Sequence, residues 1–154
     1  MNQNRETERI LREHRHWTRW IKAVHLRKEG NLVLTNRRLL FLHKIQSSSD
    51  VKENIKKLAD APMESVLNYA FTLNVDNFQI PLSSITGMGI GVFSWYPSVQ
   101  ICLNISYVSG RQQNRRTVSF QFIRPIMQTI LHPQIAVDIG WIRAIKKAIK
   151  DTKA

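Results

Sequence analysis

The sequence predicts one mainly β domain that also carries helices, an α+β fold. A chain of 154 residues can bury one hydrophobic core and is short for two ordinary domains, so residues 1–154 are expected to form a single domain. From Phe78 onward, apolar and polar residues alternate in short runs, as in strands that bury one face. Between Val137 and Lys150, apolar residues instead recur every three or four positions, which indicates an amphipathic helix.

Residues 1–15 are predicted to form a helical extension. This stretch is polar, and Glu8 and Arg12 stand four residues apart, a spacing that stabilises helices. The next stretch, from Trp17 to Leu26, allows two interpretations. Its apolar residues continue the helical pattern, yet its aromatic and β-branched residues are typical of a strand. The local pattern leaves helix and strand open there.

A Gly-Asn turn signal precedes two predicted strands, Leu32 to Thr35 and Leu39 to Lys44. Residues 46–76 are then predicted to insert two helices between strands. Asp50 or a preceding serine supplies a helix N-cap. Pro62 ends the first helix and begins the second, whose apolar residues recur as far as Phe71. We therefore expect a helical hairpin within an otherwise β-rich region.

Four strands and one helix are predicted in the second half of the chain. The predicted strands are Phe78 to Leu82, Ile85 to Trp95, Val99 to Tyr107 and Thr117 to Ile123. The loop between the last two, residues 109–114, is long for a hairpin and basic at its edge. The final helix, residues 137–150, has apolar residues on one side and four cations on the other: Arg143, Lys146, Lys147 and Lys150. We expect those cations to be solvated or to meet an anionic lipid or nucleic acid.

Four motifs, in this order along the chain, resemble the GRAM and pleckstrin-homology-like (PH-like) family. The run from Gly30 to Phe41 matches the family pattern G-x-L-x-L-T-x-x-R-L-x-F, and Ile80 to Ile85 matches I-P-L-x-x-I. Ile105 to Gly110 followed by Val118 to Phe122 resembles the penultimate hairpin of the family. Trp141 to Ile145 resembles its closing helix. The resemblance covers residues 17–150 apart from the insertion.

The resemblance implies a seven-stranded, partly open barrel of two near-orthogonal sheets. It implies that the last helix, residues 137–150, caps one end of this barrel. It also implies that the ambiguous stretch from Trp17 to Leu26 is the first strand. The insertion at 46–76 departs from the compact family pattern, and we expect it to cover or rebuild a surface that relatives use.

The chain is strongly basic, with 23 Lys and Arg against 11 Asp and Glu and a formal net charge of +12. Residues 1–57 carry a net charge of +8 and residues 111–154 carry +7, whereas residues 58–110 carry −3. If the two basic ends meet in space, they form one basic face. This balance indicates an anionic partner: a lipid surface, a nucleic acid or an acidic protein.

Cysteine usage and the N-terminal residues predict a cytoplasmic protein, peripheral at the membrane if it meets one. Cys102 is the single cysteine, which excludes an intramolecular disulfide and fits a reducing compartment. The first 30 residues contain no apolar run of the kind found in secretory signals. The uncharged stretch from Asn77 to Gly110 is interrupted by prolines and glycines, so it is not expected to span a membrane.

No catalytic residues, metal or cofactor are expected. Gly87 to Gly91 does not form a dinucleotide-binding loop, because Val92 stands where the third glycine belongs. His14 and His16 lack a cysteine or acidic partner that completes a metal site. The chain also lacks a paired-acid arrangement or a nucleophile motif. An enzyme is therefore not expected.

The resemblance also implies candidate binding residues. Lipid-binding members of the PH-like family hold phosphates with basic residues near the first hairpin, and the candidates here are Lys22, Arg27, Lys28 and Arg37. The spacing departs from the family pattern because Arg37 and Arg38 are adjacent, and Arg38 is expected to be structural. The alternative for these cations is a solvated or salt-bridged surface. Trp95 and Tyr96 form an aromatic turn that is a candidate interaction site, with core packing as its alternative.

The sequence thus predicts a non-enzymatic binding module that docks reversibly on anionic membrane lipid through a basic face. The alternative is a protein-interaction or self-assembly module without a lipid ligand, since PH-like barrels bind peptides along a sheet edge or groove. Non-specific nucleic-acid binding is a third candidate, which follows from the charge alone.

Overall fold

The computed structural model describes residues 7–14, 18–23, 26–45, 47–54, 58, 60–95, 98–122 and 134–153. In this part of the chain the strands are β1 (Ile10–Glu13), β2 (Thr18–Ala23), β3 (Leu26–Thr35), β4 (Arg38–His43), β5 (Phe78–Pro81), β6 (Ile85–Trp95), β7 (Ser98–Ser109) and β8 (Asn114–Phe122). The helices are α1 (Ser48–Asn54), α2 (Met63–Thr72) and α3 (Gln134–Lys153), and a 3-10 turn covers Leu82–Ser84. The prediction of a mainly β fold with helices is confirmed.

The eight strands are antiparallel neighbours in one open sheet. The strand order is β5-β4-β3-β2-β8-β7-β6, and β1 also pairs with β3. Along β3, Gly30 faces Thr18 of β2 and Val33 faces Glu13 of β1, so β1 and β2 follow one another along the same side of β3. Because β2 also pairs with β8, it joins the first half of the sheet to the second.

The N-terminal segment is a correction to the sequence prediction. A helix was expected within residues 1–15, but Ile10–Glu13 form strand β1. The predicted helical pair of Glu8 and Arg12 is absent, because Glu8 accepts hydrogen bonds from Arg38 Nε and Nη2, both at 2.8 Å. Arg12 instead donates to the Gly140 carbonyl at 3.3 Å. An i,i+4 pair is worth only about 0.2–0.5 kcal/mol, so these long-range contacts decide the conformation.

A bulge in β1 places Ile10 and Arg12, which are two residues apart, on opposite faces of the sheet. The register with β3 shifts between Ile10 and Arg12. Ile10 packs with the helices α1 and α2, whereas the Arg12 guanidinium lies over the Trp141 ring, 5.2 Å from its centroid. Burial lowers the pKa of Arg12 by desolvating its guanidinium. Glu13 accepts hydrogen bonds from the backbone N–H and the hydroxyl of Ser48, at 2.7 and 3.0 Å, at the start of α1.

Strands β3 and β4 are covered on both faces, which explains their unbroken apolar runs. One face contributes to an aromatic-rich core under α3, where Phe41, Phe120 and Phe122 are buried. The other face packs against α1 and α2, in a second core of Val33, Leu40, Leu42, Val51, Val66, Leu67 and Ala70. Both helices of the predicted 46–76 insertion are present, and they cover the outer face of this hairpin.

Helix α3 packs across the aromatic-rich core and extends beyond the predicted residues 137–150 at both ends. Trp141 is fully buried and stacks on Phe122, with centroids 5.4 Å apart and an interplanar angle of 12°. Ile145 and Ala148 are buried beside it, as the apolar stripe predicts. No described helix combines the length and apolar character needed to cross a membrane.

The turn predicted at the Gly-Asn signal is wrong: β3 begins at Leu26 and runs through residues 29–31, because Glu29 and Gly30 pair with Arg19 and Thr18 of β2. The boundaries of the later strands lie within three residues of those predicted. Strand β6 has the predicted bounds, and β8 begins three residues earlier than predicted. The stretch from Trp17 to Leu26, left open by its local pattern, contains strand β2 and the first residue of β3. The resemblance implied seven strands, and the described part of the chain contains eight.

Candidate anion-binding site

The structure brings together three of the four predicted phosphate-binding cations. Lys22 lies on β2. Arg27 and Lys28 lie on β3, where they pair with Ile21 and Trp20 of β2, so all three cations are beside the β2–β3 hairpin. Arg37 lies in the turn after β3, at the far end of that strand. The seven steps of β3 from Lys28 to its end alone span about 23 Å. Arg37 therefore does not share a site with the other three.

Two of the predicted cations face carboxylates that belong to the predicted 46–76 insertion. Arg37 Nη1 lies 3.1 Å from Glu64 Oε1 in the first turn of α2. Lys28 Nζ lies 3.0 Å from Asp76 Oδ2, between α2 and β5. These side chains are roughly one-third exposed, so each ion pair contributes little to stability. Each pair nevertheless neutralises a cation that a phosphate would otherwise meet.

Arg38 is held more firmly within the fold. Its guanidinium pairs with Glu8, whose side chain is only 1% exposed, and also donates to Asn68 Oδ1 and Gln79 Oε1. Glu8 additionally accepts a hydrogen bond from the hydroxyl of Thr35 at 2.8 Å. This network ties the segment before β1 to β3, β4, α2 and β5, which is a structural role.

The pairing of β2 with β8 places a second set of cations beside the β2–β3 hairpin. Ile21 of β2 lies opposite both Arg27 and Ser119, and β8 runs back from Ser119 through Arg116 and Arg115 toward the same end of the sheet. Strand spacing puts the Cα atoms of Arg27 and Arg116 about 14 Å apart. We define the basic rim as the cations at this end: Arg27, Arg111, Arg115 and Arg116.

The cations of the basic rim are available to a ligand. Arg111, Arg115 and Arg116 are exposed and Arg27 is partly exposed. Within the described ranges, none of the four makes an ion pair or a side-chain hydrogen bond. By strand alternation, Arg27 and Arg115 project from the outer face of the sheet, the face on which α1 and α2 pack. Arg116 projects from the inner face, the face of the aromatic-rich core, as Val118 does. Cations spread around a sheet end suit a broad anionic surface better than a single enclosed phosphate.

A second basic surface lies on the outer face of α3. Its cations, all exposed and without an ionic partner in the described segments, are Arg143, Lys146, Lys147, Lys150 and Lys153. Helix α3 is anchored away from the basic rim, through Trp141 on Phe122 and through the Thr152 hydroxyl, which donates to the Asn36 carbonyl at 3.2 Å. Phe122 ends β8 and Asn36 follows β3, both far from the β2–β3 hairpin. The two basic surfaces are therefore separate.

The other candidate residues contribute no described site. Trp95 ends β6 opposite Ser98, but its side chain and all of Tyr96 lie outside the described residues, as does the side chain of Lys22. Cys102 is buried. Of the described histidine, cysteine and acidic residues, no three are grouped so that they could hold a metal ion.

Comparison with known proteins gave no significant match to a family model, to a curated protein or to a solved structure. The functional argument therefore depends on the residues and contacts of this chain. The sequence identified the β7–β8 loop as basic, but not as a neighbour of the β2–β3 hairpin. That proximity depends on pairing between Ile21 and Ser119, which are far apart in sequence and carry no local signal of their contact.

Proposed function

We propose that this chain is a non-enzymatic PH-like module of the GRAM type that docks reversibly on anionic membrane lipid through its basic rim. The four ordered motifs support the family assignment. So does the strand order, in which β2–β5 and β6–β8 form two consecutive antiparallel groups joined by β2 and β8. Two near-orthogonal sheets with α3 capping one end are part of this proposal.

One observation carries the functional proposal. The four arginines of the basic rim have no carboxylate partner among the described residues, whereas Arg19, Lys28, Arg37 and Arg38 each have one. A paired cation must give up its carboxylate before it meets a phosphate, but an unpaired one keeps its full attraction for an anionic surface.

The expected affinity is that of a reversible contact. A basic residue near an anionic lipid surface contributes about 1 kcal/mol, so the four arginines of the basic rim contribute about 4 kcal/mol. This corresponds to nearly a thousandfold preference for anionic over neutral lipid. Arg27 keeps its proposed role, Lys28 is weakened by Asp76, and Arg37 is replaced in the site by the arginines of the β7–β8 hairpin.

Vesicle flotation with a charge-matched control tests this proposal. The rim variant carries Arg111→Glu, Arg115→Glu and Arg116→Glu, and the control variant carries three reversals on α3: Arg143→Glu, Lys146→Glu and Lys147→Glu. Each set lowers the formal net charge from +12 to +6, because every reversal removes two charges. We expect the rim variant to lose binding to phosphatidylserine vesicles and the α3 variant to retain most of it.

Two results would contradict the proposal. Equal losses in both variants would mean that net charge, rather than the basic rim, drives binding. Full binding by the rim variant would exclude the site. An RNA competitor in parallel addresses the third candidate function: if RNA removes the wild-type protein from vesicles at physiological salt and binds it more tightly, nucleic acid is the better ligand.

A further inference from the structure

Strand β6 forms a long edge of the sheet built by the described strands. It spans Ile85–Trp95 and pairs with β7 along one side, and no other described strand pairs with it. An edge strand presents backbone N–H and C=O groups that can pair with another strand. The single register shift, between Ile85 and Gly87, leaves the rest of β6 regular and able to pair.

Within its described residues, β6 has neither the short length, the proline nor the charge that usually prevents pairing between molecules. The opposite edge, β5, has only four residues and includes Pro81, and short edges and prolines block added strands. Strand β6 is almost three times as long and contains no proline and no charged residue. It lies within the uncharged stretch from Asn77 to Gly110.

The side chains of β6 add an apolar row beside the free edge. Met88, Ile90 and Val92 lie opposite Ile105, Leu103 and Ile101, so they share the inner face of the sheet. Met88 packs against the core, but Ile90 is 37% exposed and Val92 is 68% exposed. The alternate positions are Gly87, Gly89 and Gly91, which add no side chain of their own to the outer face of the strand. The apolar row thus extends from the core to the open edge.

We propose that β6 pairs with β6 of a second copy of this chain, antiparallel and about a two-fold axis. With Gly91 at the axis, Ile90 of each copy lies opposite Val92 of the other. The contact between these two exposed side chains therefore forms twice in the dimer. A chain of net charge +12 repels its own copies over most of its surface. Strand β6 carries no charged residue, so two copies can approach along this edge without bringing cations together. An acidic partner would be attracted to the basic surfaces instead.

Sedimentation velocity over a micromolar to millimolar concentration series tests the pairing, using Val92→Lys and the matched control Val75→Lys. Both variants add one charge in place of one exposed valine, and Val75, between α2 and β5, is 101% exposed. We expect wild type and Val75→Lys to shift from monomer toward dimer as concentration rises. We expect Val92→Lys to remain a monomer, because a lysine on each strand places two cations at the paired edge.

Three results would overturn the proposal: a monomeric wild type throughout, a Val92→Lys variant that dimerises like wild type, or a Val75→Lys variant that loses the dimer equally. Hydrogen exchange at low and high concentration adds a check on location. Amides of β6 should gain protection at high concentration in wild type, and a dimer that protects another segment would exclude this edge. The experiment contains no lipid, and the rim variant should dimerise like wild type, so the two proposals can fail independently.

Discussion

Gly30→Ala should destabilise the protein strongly, because Gly30, the first residue of the GRAM-like motif, lies against the backbone of β4. Gly30 pairs with His43 between β3 and β4. A Cβ atom added there would lie 2.8 Å from the carbonyl carbon of Leu42 and 2.9 Å from His43 Cα, and closer still to the Leu42 oxygen. Since all three are backbone atoms, no side-chain rotation relieves the clash.

The cost follows from the movement that the alanine forces. Inserting a methyl group into closely packed structure typically costs about 1–3 kcal/mol. Separating the two strand ends also threatens the adjacent hydrogen bond from Lys44 N to the Glu29 carbonyl, 2.9 Å long, which is worth about 1 kcal/mol. We therefore expect a loss of about 3 kcal/mol, a large part of the stability of an ordinary domain.

Gly89→Ala is the matched control. An added Cβ at Gly89, also in a strand, meets nothing within 4 Å. Glycine in a strand interior costs about 0.5–1 kcal/mol relative to alanine, so this variant should be neutral or slightly more stable. Urea unfolding followed by circular dichroism measures both, and with an m-value of about 2 kcal/mol/M the Gly30→Ala midpoint falls by about 1.5 M. A Gly30→Ala midpoint equal to that of Gly89→Ala would refute the steric argument.

Two further substitutions test the charge contacts. Glu8→Gln should lower the free energy of unfolding, measured with urea, by about 3 kcal/mol, because it leaves the Arg38 guanidinium, which is only 17% exposed, without its carboxylate. A decrease below about 1 kcal/mol would contradict this structural role. Asp76→Asn should strengthen flotation with phosphatidylserine vesicles about fivefold, since freeing Lys28 beside the basic rim adds one cation worth about 1 kcal/mol. The exposed Asp60→Asn gives the same net charge and should have a smaller effect, so equal gains would contradict the local explanation.

The elements that the sequence predicted well are those whose pattern is local. Strands β7 and β8 and helix α3 each bury one side, so their alternation or stripe can be seen within a dozen residues. Strand β1 was missed because its conformation depends on partners far along the chain, Arg38 for Glu8 and Gly140 for Arg12. A short polar segment with i,i+4 charge pairs carries no signal of such contacts.

The candidate site shows the same division between local and long-range information. The sequence indicated a basic β2–β3 hairpin, and Arg27 remains there without an ionic partner among the described residues. It did not indicate that Glu64 and Asp76 of the helical region meet Arg37 and Lys28. Those contacts depend on how α2 lies against β3 and β4, which only the packing of the second core determines.

The helical insertion explains which cations of this basic chain remain available. Residues 58–110 hold three acids and no Lys or Arg, and two of those acids neutralise cations from the N-terminal third of the chain. No acid from this region pairs with the described cations after residue 110, so the unpaired positive charge is concentrated there, on the β7–β8 hairpin and α3. The two basic ends of the sequence meet at the basic rim, where β2 pairs with β8, while α3 carries its cations elsewhere. The same region, which lacks Lys and Arg, also supplies β6, so residues 58–110 account both for the location of the proposed lipid contact and for the proposed edge where two copies approach.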